Sequence, residues 1–96
     1  MKPRPYEKTL EGSWLTTERG VVADDVSERI KVLTETYLRH VAVDDTGWDH
    51  LYLDPEDGRL WELTYPASEW HGAGPPRLDV VSRETAQEKY GWTNNA

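Results

Sequence analysis

One turn sequence constrains the fold more than any other feature of the chain, because residues 54–58 read DPEDG. Proline fixes φ at about −65° and glycine tolerates a positive φ, so this stretch predicts a tight turn. After it, every second residue from Trp61 to Tyr65 is apolar and the residues between are polar, and residues 48–53 before it also alternate. This period of two predicts a β-hairpin, with cross-strand aromatic pairs if the registers match.

A helix is predicted upstream of the hairpin, over residues 25–38. The stretch DVSE at 25–28 has the form of a capping box, in which Asp25 caps the helix and Glu28 reaches back to it. Apolar residues follow at spacings of four, three and four on one helical face, namely Val26, Ile30, Leu33 and Tyr37. Such a stripe is typical of core packing against a sheet, which we favour over a recognition helix.

One shorter strand is predicted before this helix and one after it. Residues 9–17 form the first, in which Gly12 is unfavourable, and a turn at 18–20 follows it. Residues 40–43 form the second, and the turn at 44–47 connects them to the hairpin.

The C-terminal third predicts a loop, a strand and a helix. Residues 72–76 combine two glycines with two prolines and exclude regular structure. A strand is expected around 78–81, followed by a helix over 83–90 that Ser82 caps and that Gly91 ends in a left-handed conformation. Trp92 is then expected to fold back on this helix.

Together these elements predict an α+β fold in a small single domain over residues 1–96, with flexible ends at 1–8 and 93–96. We expect an antiparallel sheet of three to four strands, arranged as a meander around the 54–58 turn and covered on one face. The helix at 25–38 and the short helix at 83–90 pack against this sheet. The chain has no cysteine, which excludes disulfides and thiolate metal sites.

Charge is distributed unevenly along the chain. The formal net charge is −7, and residues 40–70 account for this whole excess because they hold eight acidic residues against Arg59 alone. An acidic surface binds nucleic acid and anionic membranes poorly and suits a basic protein surface. No secretory h-region and no run of about 20 apolar residues occurs. We therefore expect a cytoplasmic protein that binds neither nucleic acid nor membranes.

Aromatic residues are the strongest candidates for contacts with a partner. The chain has five Trp and five Tyr but no Phe, and indoles and phenols suit partly exposed interface positions. Trp14 and Trp61 alternate with polar neighbours and are predicted in the core. Trp48 and Trp70 lie in or beside loops and are candidates for exposed anchors.

The sequence gives little support for catalysis. His40, His50 and His71 match no metal-binding spacing, and no nucleophile elbow or phosphate loop occurs. Glu62 and Glu69 could form the acid and base of a glycosidase beside tryptophan platforms. That alternative predicts a small-molecule or carbohydrate binding module with hydrolase activity. We favour a protein that is not an enzyme and uses no cofactor or metal.

The hairpin and its flanks carry a specific resemblance to a known family. The residues concerned are GW at 47–48, LY at 51–52, DP at 54–55, DGR at 57–59, WEL at 61–63, YP at 65–66, SE at 68–69 and HGAGPP at 71–76, with VAD at 22–24, RI at 29–30 and KYG at 89–91. Over about residues 10–91 the chain resembles the immunity protein 27 family of bacterial polymorphic toxin systems. The family has a glycine where Ala73 stands in this chain.

This resemblance implies an antitoxin that acts in the cytoplasm, binds a cognate toxin domain and has no catalytic activity. The sequence does not fix the oligomeric state, and we favour a monomer or a 1:1 complex. The acidic, aromatic stretch adds the hypothesis that a basic active site, such as that of a nuclease, is blocked. The toxin-binding residues that we predict are Asp44, Asp45, Trp48, Asp49, Asp54, Glu56, Asp57, Glu69, Trp70 and His71. Alternatively, the shared residues build the sheet and its loops, and the toxin contacts lie elsewhere.

Overall fold

A five-stranded antiparallel sheet is the centre of the computed structural model, which describes residues 2–18, 20–66 and 74–93. Its strands are β1 (Thr9–Glu11), β4 (Arg39–Val43), β5 (His50–Leu53), β6 (Leu60–Thr64) and β7 (Arg77–Val81), in the order β1-β7-β6-β5-β4. Strands β2 (Trp14–Thr17) and β3 (Gly20–Ala23) form a separate two-stranded ribbon. Helix α1 (Asp25–Val32) continues as a π-helical turn over Leu33–Tyr37, and α2 spans Arg83–Tyr90. The α+β class is confirmed, and the sheet has more strands than the three to four predicted.

The predicted hairpin is confirmed in both its turn and its aromatic pairing. Strands β5 and β6 are antiparallel, with Tyr52 opposite Trp61 and His50 opposite Leu63. Gly58 has φ +77°, a conformation that glycine adopts without the cost that a Cβ would bring. The hairpin therefore places its aromatic residues on one face of the sheet.

Both faces of the sheet are covered, whereas the sequence predicted cover on one. One core cluster, to which α1 contributes, contains Ile30, Leu33, Trp61, Leu63 and Leu78. On the opposite face lies a cluster of Leu51, Leu60 and Ala86, against which Tyr90 and Trp92 pack. The prediction was wrong because neighbours such as Leu60 and Trp61 point to opposite faces and both are buried.

Helix α1 begins one residue earlier than its predicted capping box allows. The N-cap is Asp24, whose carboxylate accepts a 2.7 Å hydrogen bond from the Ser27 amide. Asp24 also accepts a hydrogen bond from the Ser13 hydroxyl at 2.9 Å, so the same carboxylate ties the ribbon to the helix. This second bond joins residues 11 positions apart and favours Asp24 over Asp25.

The α-helix predicted over 25–38 ends at Val32, and the next five residues form the π-helical turn. The hydroxyls of Thr34 and Thr36 donate to the carbonyls of Ile30 and Val32, at 3.0 and 2.6 Å. Such bonds from threonine to the preceding turn bend helices and compete with the regular ladder. The predicted apolar stripe is confirmed, since it contributes to the core from Val26 to Tyr37.

The segment predicted as one strand over 9–17 is two strands in different sheets. A Cβ at Gly12 would lie 2.2 Å from Ser27 Oγ and 2.9 Å from the Pro76 carbonyl oxygen. The chain therefore passes between α1 and the start of β7 at a point where only glycine fits, and it leaves the main sheet there.

The predicted C-terminal strand and helix are confirmed, whereas residues 72 and 73 of the predicted loop lie outside the described residues. Strand β7 and helix α2 form where expected, and the Ser82 hydroxyl accepts from the Thr85 amide at 3.1 Å. Gly91 ends the helix with φ +65°. Trp92 packs beside Ala86, so it does fold back on this helix.

Candidate functional site

Strand β5 divides the predicted acidic surface into two turns, 44–49 and 54–58, at its opposite ends. The four residues of this strand separate the turns by roughly 13 Å, since each residue of a strand adds about 3.3 Å. Glu69, Trp70 and His71 lie outside the described residues. The structure thus brings together Asp44, Asp45, Trp48 and Asp49 in one turn and Asp54, Glu56 and Asp57 in the other.

The 54–58 turn is tied to the protein's own chain. Asp54 is 1% exposed, and its carboxylate accepts hydrogen bonds from the Tyr37 hydroxyl at 2.5 Å and the Glu56 amide at 2.9 Å. Glu56 forms an ion pair with Lys2 at 2.6 Å, and Asp57 forms one with Arg59 at 2.6 Å. The carboxylates at this end are therefore occupied by groups of the same chain.

The N-terminal segment reinforces this end of the sheet. The Arg29 guanidinium donates two hydrogen bonds to the Glu7 carboxylate, at 2.6 and 2.7 Å, and lowers the pKa of Glu7 to about 2. Arg59 donates to the Glu7 backbone carbonyl at 2.6 Å. Charge-assisted bonds of this bidentate kind fix geometry as well as charge.

The 44–49 turn presents its polar and aromatic groups to solvent. Asp44 organises it by accepting from the Thr46 hydroxyl at 2.7 Å and the Gly47 amide at 3.1 Å. The hydrogen bond from Thr46 lowers the pKa of the Asp44 carboxyl. Trp48 is 58% exposed, and within the described part of the chain the exposed Asp45 side chain forms no hydrogen bond or ion pair. The predicted exposure of an anchor residue is confirmed at Trp48.

Lysine 89 of α2 fastens the same turn to the sheet. Its ammonium group forms ion pairs with Asp49 and Glu62, both at 2.7 Å. The Tyr90 hydroxyl donates to Glu62 at 2.6 Å, and burial followed by this bond raises the pKa of Tyr90. Glu62 is thus held by two groups of α2, a structural role rather than that of a free acid or base.

An open cleft of about 480 Å³ lies between α1, the β2–β3 ribbon and the sheet. Trp14, Tyr52 and Tyr65 give it aromatic walls, and Ile30 and Leu63 contribute apolar surface. Helix α1 adds Glu28 and Lys31 to a polar rim, and the π-helical turn adds Glu35. His50 also lines the cleft and begins β5 directly after the 44–49 turn, so both features lie at the same end of the sheet.

A histidine pair borders this cleft. His40 Nε2 and His50 Nδ1 are 2.9 Å apart, so one ring donates a hydrogen bond to the other, and the His40 ring also contacts the Tyr52 ring edge-on. Burial and the neighbouring His50 lower the pKa of His40. Within the described residues no group of three or more His, Asp or Glu is placed to hold a metal ion. His71 lies outside those residues.

The ribbon is the feature that sequence reasoning missed. Leu15, Val21 and Val22 are exposed there, and Trp14, predicted in the core, is 41% exposed and lines the cleft. Trp61 is fully buried, as predicted. Pairing of the ribbon away from the main sheet exposes both of its faces. The predicted turn at 18–20 and the adjacent valines 21 and 22 were the sequence signals of it.

No helix within the described ranges 2–18, 20–66 and 74–93 is long and apolar enough to cross a membrane.

Comparison with known protein families gives a match over most of the chain. A family model described as Immunity protein 27 matches residues 16–82, more than half of the 96-residue chain. The match includes α1, both acidic turns and strands β3 to β7. No curated protein and no solved structure matches the chain at a significant level.

Proposed function

The chain belongs to the immunity protein 27 family, and on this premise we propose that it is a bacterial antitoxin, acting in the cytoplasm, that binds a cognate toxin domain and neutralises it. It acts as an inhibitor and carries out no reaction itself. The partner is a polymorphic toxin made beside it, held in a 1:1 complex. Family membership supports the immunity role, and the surface of the molecule supports the finer proposal.

The single observation that carries the finer proposal is the exposed Trp48 in a turn of three aspartates. A large indole that is 58% exposed loses its contact with water when a partner covers it, and such residues dominate interface energies. Asp45 beside it has no ion pair among the described residues, so its charge is available to a basic partner.

The ten predicted contact residues take different parts in this proposal. Asp45 and Trp48 are the direct contacts, Asp44 and Asp49 hold the turn that presents them, and Glu69, Trp70 and His71 remain proposed contacts. Asp54 is buried, so its role is to hold its own turn. Glu56 and Asp57 already pair with Lys2 and Arg59, whose charges offset theirs, so they contribute less to toxin binding than Asp45 does.

The toxin surface that fits this turn is basic. Enzymes that cut nucleic acid need a positively charged cleft because their substrates are polyanions, and an acidic aromatic surface is complementary to such a cleft. We therefore place the 44–49 turn over the active site of a nuclease toxin domain, where it excludes the substrate.

The test is recovery of the partner from the native source. Tagged protein should co-purify with one toxin domain encoded beside it, and the purified pair should show loss of toxin activity at a 1:1 ratio. Affinity should fall as salt rises, because surface charges are screened. Failure to recover any such toxin while the neighbouring gene is expressed would contradict the proposal. A saturable change of tryptophan fluorescence on adding sugars or nucleotides alone would favour a binding module instead.

A further inference from the structure

The cleft beside α1 combines aromatic walls with an acidic rim. Trp14, Tyr52 and Tyr65 expose part of their rings to it, above Ile30 and Leu63, which are buried. Its volume of about 480 Å³ lies within the range of about 300–1,000 Å³ that is usual for ligand pockets. A partner's side chain could therefore enter without rearrangement of the chain.

The rim charges come from helix α1 and from the π-helical turn that continues it. Glu28, Lys31 and Glu35 are spaced by three and four residues, and two carboxylates against one ammonium leave the rim negative. Among the residues that the structure describes, none of these three side chains forms a hydrogen bond or an ion pair. Burial, with the nearby charges of Tyr65 and Glu35, raises the pKa of the Tyr52 hydroxyl, which is consistent with Glu35 lying close to the aromatic wall.

Aromatic faces beside unpaired carboxylates select a planar cation. A guanidinium group stacks on Trp and Tyr rings, pairs with carboxylates through two parallel hydrogen bonds, and loses less hydration than an ammonium group. Lysine gains less from such walls, and a neutral side chain gains nothing from the rim.

We propose that this cleft receives an arginine side chain of the toxin domain, an inference that rests on the proposed antitoxin function. Val21 of the ribbon is exposed and lies on the same ribbon face as Trp14 and Ala23, which line the cleft, so it adds apolar surface beside the arginine. A two-stranded ribbon outside the main sheet is marginally stable by itself, so such a contact also steadies it. His50 lines the cleft and directly follows the 44–49 turn, so both features lie at the same end of the sheet.

The first experiment tests the cleft without the toxin. The full chain, labelled with ¹⁵N, is titrated with Nα-acetyl-argininamide and separately with Nα-acetyl-citrullinamide, its neutral isostere. Saturable shifts are expected at the Trp14 indole N–H and at amides of 27–35 and 50–52, with the arginine compound alone. Equal shifts with both compounds, or no saturable shift, would overturn the proposal.

The second experiment compares charge-matched variants against the toxin domain recovered by co-purification. The double variant E28Q/E35Q should bind about thirtyfold more weakly, since a partly exposed charge-assisted bond contributes up to about tenfold. The control E84Q/E88Q removes two carboxylates from α2, on the opposite face of the sheet, and Glu84 stands in the first turn of its helix as Glu28 does. Control and unaltered chain should bind equally well.

The outcomes separate the two levels of the proposal. Equal affinity of E28Q/E35Q and the unaltered chain overturns the arginine contact and leaves the antitoxin function standing. A toxin domain that fails to bind the unaltered chain contradicts the proposed function, and with it the toxin as the source of the arginine. Unchanged thermal unfolding of both double variants shows that any loss of binding is local.

Discussion

The hydroxyl of Tyr37 donates a 2.5 Å hydrogen bond to the carboxylate of Asp54, and this bond joins the π-helical turn to the hairpin turn at 54–58. Tyr37 is the last residue of the π-helical turn that follows α1. The buried Asp54 carboxylate also accepts a hydrogen bond from the Glu56 amide. An acidic residue that belongs to the predicted contact surface is thus part of the framework.

Substitution of Asp54 should destabilise the fold, whereas substitution of an exposed aspartate in the other acidic turn should not. Asp54→Ala removes the acceptor of the Glu56 amide and the shorter of the two hydrogen bonds of the Tyr37 hydroxyl, which we expect to lower the free energy of unfolding by about 3 kcal/mol. Asp54→Asn retains an acceptor oxygen and should cost about 1 kcal/mol. Asp45→Ala, at the exposed turn, should stay within about 0.5 kcal/mol. Urea unfolding measures all three, and equal costs at Asp54 and Asp45 would contradict the assignment.

The hairpin, its turn and the second helix follow from local sequence, because turn glycines, caps and alternation act over a few residues. The role of Asp54 does not. Charge counting treats it as equivalent to Asp45, and only the pairing of residues 17 positions apart distinguishes a buried carboxylate from an exposed one. Long-range contacts of this kind leave no periodic signal in a single sequence.

The observed cap of α1 can be told from the predicted one by two neighbouring variants. Asp24→Ala removes the acceptor of the Ser27 amide and of the Ser13 hydroxyl, and we expect Tm to fall by about 5 °C. Asp25→Ala should change Tm by less than about 2 °C, because this residue lies inside the helix. Calorimetry measures the Tm of both variants. A larger fall of Tm for Asp25→Ala would show that Asp25 caps the helix, as the sequence predicted.

Acid should weaken the fold through Glu7. Its pKa is lowered from 4.5 to about 2 by Arg29, so the pair stabilises the folded state fully above pH 4.5 and loses this contribution as the pH falls toward 2. The shift corresponds to about 3 kcal/mol. Unfolding curves of Glu7→Gln and the unaltered chain should differ by about this amount at pH 7 and converge near pH 2.

A more exposed ion pair provides the control for the Glu7 variant. Glu11 pairs with Arg77 at 2.8 Å, but its side chain is 65% exposed, so Glu11→Gln should cost less than about 1 kcal/mol. If the difference between Glu7→Gln and the unaltered chain did not narrow on acidification, the pair would not be the cause.

Gly12 should tolerate no side chain. A Cβ there meets the Ser27 hydroxyl and the Pro76 backbone, so Gly12→Ala should cost about 2 kcal/mol through overpacking. Adding Ser27→Ala removes the closer of the two contacts and should recover part of that loss, while Ser27→Ala alone should cost little. Recovery of the full stability would show that the Pro76 contact has no weight.

The candidate site was predictable only in part, for a reason that Gly12 illustrates. Composition locates an acidic, aromatic stretch, and exposure of Trp48 follows from its place beside a turn glycine. The cleft is assembled from Trp14, Glu35 and Tyr52, which lie far apart in sequence. The ribbon that forms one of its walls exists because the chain leaves the sheet at Gly12, and this depends on the packing of α1 against β7.

Trp48 should carry more of the toxin affinity than any acidic residue around it. Trp48→Ala removes a large exposed aromatic side chain that we propose as an interface anchor. The substitution should weaken toxin binding by about 2 kcal/mol or more without altering Tm. Asp45→Lys should weaken binding less at high salt than at low salt, because its contribution is electrostatic and screened.

Val43→Ala, which removes an exposed side chain from the neighbouring β4, provides a matched control and should leave affinity within about threefold. Affinity is measured by calorimetry at two salt concentrations with the co-purified toxin domain. If Trp48→Ala bound like the unaltered chain while E28Q/E35Q lost affinity, the toxin would sit on the cleft and the ribbon, away from the 44–49 turn.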